Sequence, residues 1–172
     1  MNFSCIDPGP DGFSDSVAPR ARVLDHARFK AKAGHCVRPD AIVLASDTLV
    51  YSEGEFLHKP ENQPDARRML KQLENQVHHV WTSICVMTPQ GQSFEDAAWT
   101  SVKFSSIPED ELSRYLDGKE WMDKAGAYGI QGTAGRWATV LEGDLDTVIG
   151  LPVELAIAIL AKAGACRLDL RR

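Results

Sequence analysis

Two stretches of this chain carry residue types that do chemistry on phosphorylated ligands. The first is Asp123-Lys124-Ala125-Gly126-Ala127-Tyr128-Gly129-Ile130-Gln131-Gly132, which places a charged pair, three glycines, an aromatic ring and an amide within ten positions. Glycines let a backbone approach a ligand closely. Lys124 adds a mobile cation suited to a phosphate. Gln131 can meet a base edge with both a donor and an acceptor group. The stretch reads as a loop around a phosphorylated, base-containing ligand, or more simply as a glycine-rich connection with a solvated lysine. The second stretch is Ser46-Asp47-Thr48, directly after the apolar run Ala41-Ile42-Val43-Leu44-Ala45. A carboxylate held rigidly at a sheet end can bind Mg²⁺ or orient a water; the plainer role is to cap a turn. Lys30, Lys59 and Lys124 together with Asp47 would make a triphosphate site, with cations on the phosphates and the carboxylate on metal or water. Each lysine taken alone reads as solvated surface charge.

The elements that must position these groups alternate between helix and strand. Val23, Leu24, Ala27 and Ala31 recur at helical spacing, so a helix is expected from about Arg20 to Ala33, stopped by Gly34. The apolar run at 41–45 predicts a buried strand, continued by Leu49 to Tyr51 and turned at Ser52-Glu53-Gly54-Glu55. A second helix begins near Asn62 or Gln63 with Pro64 in its first turn, and buries Ala66, Met69, Leu70 and Leu73. Val77–Met87 and Ser93–Ser105 predict a long hairpin around the turn Thr88-Pro89-Gln90-Gly91. Ser106-Ile107-Pro108-Glu109 has the capping-box pattern and opens a helix buried through Leu112, Tyr115 and Leu116. Trp137–Leu141 and Thr147–Ile149 are short strand candidates, and Val153 to about Ala163 is a final helix stopped by Gly164. Only Phe3 to Ile6 could form a strand in the turn-rich first twenty residues.

At 172 residues the chain is expected to form one domain. Its hydrophobic fraction of 44% and charged fraction of 25% are those of ordinary globular proteins. A net charge of −5 without a basic run disfavours nucleic acid as a partner, while a small anionic ligand needs only a few local lysines. Cys5, Cys36, Cys85 and Cys166 are widely spaced, with no Cys-x-x-Cys, which fits free thiols in a reducing compartment. His78, His79 and Cys85 match no standard zinc spacing. No apolar run has membrane-spanning length and no signal peptide is visible, so the expected location is cytoplasmic. The signatures of P-loop ATPases, zincins and α/β-hydrolases are missing from the sequence.

From about Ala27 to Leu160 the pieces, in this order, resemble the Maf family of nucleoside triphosphate pyrophosphatases. The resemblance is carried by Ala27-Arg28-Phe29-Lys30-Ala31, Asp47-Thr48, Lys59-Pro60, His78 with Thr82, and Thr100-Ser101-Val102-Lys103-Phe104. It continues in the loop 123–132, in Gly143-Asp144, and in Val148-Ile149-Gly150-Leu151-Pro152. It implies an α/β protein with the elongated Maf-like (inosine triphosphatase-like) fold: a mixed, strongly twisted sheet and two lobes around a cleft. It implies hydrolysis of a nucleoside triphosphate to the monophosphate and pyrophosphate with a divalent metal, Mg²⁺ or Mn²⁺. By position, Asp47 is then the catalytic base and metal ligand, and Lys59 and Lys30 are phosphate-site lysines. Thr48 and Gln131 fall where the family selects its base, with Asp123, Lys124 and Tyr128 in the same substrate loop. The spelling Ala-Tyr-Gly-Ile-Gln-Gly is similar to the branch acting on dTTP and UTP. A neutral amide at Gln131 can donate to a pyrimidine carbonyl and accept from its N3–H. The family is often dimeric.

Departures from the resemblance shape three further expectations. Family members open with a strand and a Ser-x-Ser-Pro-Arg-Arg phosphate loop, of which Ser16-Val17-Ala18-Pro19-Arg20-Ala21 is only a coincidental echo. Phe3 to Asp11 aligns better with the family's second strand, with Asp11 where the family has a glutamate. The chain is thus expected to lack the family's front segment, through a misassigned start or a truncation, and to be a weak or inactive enzyme. The alternatives are a nucleotide-binding regulator of cell division without turnover, and a remnant with no ligand. Asn75 stands where the family usually has glycine, and asparagine tolerates positive φ.

Overall fold

A computed structural model describes residues 3–9 and 14–165. Its helices are α1 (Pro19–Val37), α2 (Gln63–Leu73), α3 (Glu109–Gly118), α4 (Leu145–Ile149) and α5 (Val153–Lys162). Its strands are β1 (Val43–Ser52), β2 (Glu55–Leu57), β3 (Val77–Met87), β4 (Ser93–Phe104) and β5 (Ala138–Glu142). The five strands form one sheet in the order β2-β1-β3-β4-β5. The expected α/β class is borne out. The resemblance implies a mixed sheet; the strands among the described residues run antiparallel.

Chain contacts divide the protein into two compact units. The first holds the residues up to Asp47, Ser83–Ala97, and those from Leu151 onward. In it, side-chain alternation along β3 sorts the core onto two faces. Cys85 and Met87 pack with Ala27 and Ala31 of α1 and with Ala45 of β1. Ile84 and Val86 pack with Ala156 and Ile159 of α5. Two contacts fix α1 against the strands. Ser83 donates its hydroxyl to the Val23 carbonyl at 2.7 Å. Gly34 lies so close to β1 that a Cβ there would stand 2.9 Å from a Val43 methyl group.

The second unit holds Thr48–Thr82 and Ala98–Gly150. Its core gathers Val50, Leu57, Val80, Val102 and Phe104 from the strands, Leu70 and Leu73 from α2, and Leu112 and Leu116 from α3. Ala127, Tyr128, Ala134 and Trp137 from the glycine-rich region join the same cluster. The β1–β2 hairpin pairs Ser52 with Glu55 around Glu53 and Gly54, both at positive φ (50° and 87°), the turn that suits the right-handed twist of a two-residue hairpin. Helix α2 starts as expected: Asn62 accepts the Asp65 amide at 3.0 Å, and Ala66, Met69, Leu70 and Leu73 are buried. Asn75 adopts φ 60°, the conformation that asparagine tolerates.

Several expectations are corrected. Phe3–Ile6 forms no strand; the Gly9 amide bonds the Asp7 carboxylate in a local turn, and Phe3 is 88% exposed. The position of Asp11 lies outside the described residues. Helix α1 does not stop at Gly34 but runs through it to Val37, because the glycine serves close packing rather than termination. The run at 41–45 is only partly buried, with Ile42 42% and Leu44 38% exposed. The strand continues through residues 49–51 as expected, to Ser52, so Asp47 and Thr48 lie within β1 and not at a sheet end. The capping box does not form: Pro108 takes the N-cap position, and Glu109 pairs with Arg67 and Lys71 instead. Thr147–Ile149 belongs to the short helix α4, not a strand, because the Thr147 and Gly150 amides bond back to Asp144 and Asp146.

Candidate active site

Asp47 is buried in the first unit, with a side chain only 6% exposed. Lys30 donates from Nζ to Asp47 Oδ1 at 2.5 Å, and His26 Nδ1 lies 3.1 Å from Oδ2. Both partners project from the same side of α1, four residues apart, where a helix brings successive side chains onto one face. That face is Val23, His26, Ala27, Lys30, Ala31 and Gly34, whose small members bring the helix against the strands. An ionised carboxylate accepts only, so the His26 ring must carry a hydrogen on Nδ1. Asp47 and Lys30, both expected from the sequence, come together in the structure. His26 was not among the expected residues, although its signal was present: it is one helical turn before Lys30 on the stripe that Ala27 and Ala31 mark.

Thr48, the next residue, belongs to the second unit. Its hydroxyl lies 2.9 Å from that of Thr82, and Thr82 donates to the Thr147 carbonyl at 2.6 Å. A hydroxyl has one hydrogen to give, so Thr82 must accept from Thr48. Thr48 is thereby oriented, its hydrogen committed to Thr82 and its lone pairs left to accept from a ligand donor. Gly150, at φ 108°, keeps this hydroxyl uncrowded, since a Cβ there would stand 3.2 Å from Thr48 Oγ1.

The glycine-rich loop is anchored at its middle and open at its ends. Gly126 and Ala127 adopt positive φ (68° and 63°). A Cβ on Gly126 would press on Val50 at 3.1 Å, and its amide bonds the His58 carbonyl at 3.1 Å, beside Lys59. Tyr115 donates its hydroxyl to the Ala127 carbonyl at 3.0 Å. Tyr128 is a core residue: its ring packs on Phe104 at 4.8 Å and its hydroxyl lies 2.8 Å from His78 Nε2. Burial pushes the Tyr128 and Tyr115 phenols well above the usual range. Burial, and secondarily the charge of His79, pushes His78 down to about 4, so this ring is neutral. Tyr128, predicted as a substrate contact, thus holds the loop to the core. Asp123, Lys124 and Gln131 are exposed on the same loop, with the Lys124 stem folded over Gly129, and Lys59 is exposed after β2. Past the loop, Glu120 accepts from the Thr133 amide and hydroxyl at 2.9 and 2.5 Å.

Among the described residues no group of three or more His, Cys, Asp or Glu is arranged to hold a metal ion. A single buried carboxylate whose second neighbour is an ammonium does not build a cage. Its chemistry suits at most one oxygen ligand to a hard divalent cation that phosphate oxygens would otherwise hold. Also among the described residues, no helix is long and apolar enough to cross a membrane.

The fold is α/β, with a buried carboxylate on β1 and, separately, a glycine-rich loop bearing Gln131. A family profile described as Maf-like protein matches residues 2–163, and the chain belongs to that family. Similar relatives include a dTTP/UTP pyrophosphatase of Pyrococcus abyssi, 39% identical over 87% of this chain and 80% of the relative. A dTTP/UTP pyrophosphatase of Chromobacterium violaceum is 41% identical over 92% of this chain and 81% of its own length. One from Koribacter versatilis is 38% identical over 90% and 80%.

Proposed function

We propose that this chain hydrolyses pyrimidine nucleoside triphosphates, dTTP and UTP foremost, to the monophosphate and pyrophosphate. The observation that carries the reading is Asp47, a buried carboxylate held at both oxygens by Lys30 and His26, in a chain whose relatives bear the name dTTP/UTP pyrophosphatase. In this mechanism Asp47 orients the attacking water and accepts its proton. The water oxygen forms a bond to the α-phosphorus while the bond from that phosphorus to the bridging oxygen breaks in line, and pyrophosphate leaves. A divalent cation, Mg²⁺ or Mn²⁺, would neutralise phosphate charge while bound. Lys30, Lys59 and Lys124 supply further positive charge for the phosphates. Thr48, as an oriented acceptor, and Gln131, as donor and acceptor, suit the N3–H and carbonyl edge of uracil or thymine. Asp123 flanks Lys124 on the loop, and Tyr128 anchors it. The retained carboxylate gives no support to the alternative of a regulator without turnover.

Pyrophosphate release from a panel of nucleoside triphosphates, with Mg²⁺ and with Mn²⁺, tests the reading. Turnover of dTTP and UTP is expected, and Asp47→Asn should reduce it by about 10²-fold or more while leaving the protein folded. Equal turnover in the Asp47→Asn protein, or none in a folded wild type, would sink the proposal.

A further inference from the structure

We propose that His26 is a positioning residue of the hydrolytic centre, whose Nδ1–H fixes the plane of the Asp47 carboxylate. This rests on Asp47 acting in hydrolysis. Lys30 alone would hold one oxygen and leave the group free to swing about its Cβ–Cγ bond. With Lys30 on Oδ1 at 2.5 Å and His26 on Oδ2 at 3.1 Å, both oxygens are tied, and the lone pairs that remain point in set directions. The support is rigid. His26 and Lys30 lie on α1 between two fastened points, the Ser83 bond to Val23 and the close packing of Gly34 on Val43. Catalytic groups gain from such support, because their geometry must hold to a fraction of an ångström. A purely structural role would not call for histidine here. The neighbouring positions of the stripe are Val23, Ala27, Ala31 and Gly34, and an apolar residue would be buried among them without desolvating a ring nitrogen. His26 is 8% exposed, and its one hydrogen-bond partner among the described residues is the carboxylate assigned to the chemistry.

The test compares His26→Leu, which keeps volume but removes the donor, with His26→Asn, whose amide nitrogen sits near the place of Nδ1. Steady-state pyrophosphate release from dTTP should show kcat lowered about tenfold to a hundredfold in His26→Leu, with KM within about twofold. The His26→Asn protein should recover most of that loss. A ¹⁵N histidine spectrum of the metal-free wild type supplies a readout independent of turnover: His26 should carry its hydrogen on Nδ1. A spectrum showing Nδ1 without hydrogen overturns the proposal even if the leucine variant fails to fold. So does a folded His26→Leu protein with wild-type kcat, or a His26→Asn protein as slow as the leucine variant. A wild type silent on every nucleotide would instead remove the hydrolytic reading itself, and this inference with it.

Discussion

Replacing Tyr128 with phenylalanine deletes one oxygen from the core and strands a histidine. His78 is fully buried, and its Nδ1 already has no partner. Its Nε2 depends on the Tyr128 hydroxyl at 2.8 Å. The arrangement that leaves the fewest groups unpaired has tyrosine donating to Nε2, so Tyr128→Phe orphans a buried acceptor. That costs about 1–3 kcal/mol. For a protein of this size the fall in Tm is about 2–4 °C per kcal/mol, so a drop of roughly 4–8 °C is expected for a mid-range loss. His78→Leu strands the tyrosine hydroxyl at a similar cost. The double variant removes both polar groups, and its loss should fall short of the sum of the single losses by about 1–2 kcal/mol. The acid side gives a second handle. Burial first, and His79 second, hold His78 down to about 4, whereas the unfolded chain binds that proton below about 6.5. Stability is therefore fully present above about pH 6.5 and is lost as pH falls towards 4, by up to about 1.4 kcal/mol per pH unit. Urea unfolding followed by circular dichroism between pH 4 and 8, on the wild type, both single variants and the double, measures all of this. Additive losses, or a double variant with an unchanged pH slope, would refute the reasoning.

Two further outcomes follow from close contacts. Gly34→Ala should destabilise the protein by about 1–3 kcal/mol, because the new methyl group meets Val43 at 2.9 Å, even though alanine is the better helix former by about 1 kcal/mol. Thermal unfolding checks it: Val43→Ala in the same chain should restore part of the loss, and a raised Tm in Gly34→Ala alone would contradict the packing. Thr82→Val removes the partner that takes the Thr48 hydroxyl hydrogen. The preference for dTTP over CTP should then fall about tenfold, the worth of roughly 1.4 kcal/mol for one buried hydrogen bond. Competing-substrate kinetics would show it, and an unchanged preference would mean that Thr48 does not act as an oriented acceptor.

Much of this fold was legible because its elements obey local rules. The stripe Ala66, Met69, Leu70, Leu73 and the Asn62 cap needed only helical spacing and turn chemistry. The long hairpin of β3 and β4 needed only two apolar runs around a glycine turn. Failures came where tertiary contacts overrode a local signal. Gly34 has the residue type of a helix stop, but Val43 makes it a packing site inside α1. Ser106 and Glu109 have capping-box spacing, but Pro108 takes the cap and Arg67 and Lys71 take the glutamate. Thr147–Ile149 is β-branched enough to read as a strand, yet Asp144 and Gly150 close it into one helical turn. Tyr128 was legible as part of a functional loop but not as its anchor, since its partners His78 and Phe104 lie 50 and 24 positions away in sequence.

The carboxylate centre shows the same division at the level of chemistry. Asp47 could be singled out because an acid directly after an apolar run can be held rigidly, and Lys30 because lysines with such a carboxylate could make a phosphate site, a role the resemblance also implies. His26 had neither mark. What places it is the size of its neighbours: Ala27 and Ala31, both fully buried, let α1 lie close on Ala45, Cys85 and Met87. That approach is what lets a histidine and a lysine one turn apart reach the two oxygens of a single aspartate. A larger side chain at Ala27 or Ala31 would push the helix away and lengthen both contacts without touching a polar atom. The small residues of the stripe are thus as much a condition for the centre as the charged ones, and their signal in the sequence is size and spacing rather than reactive chemistry.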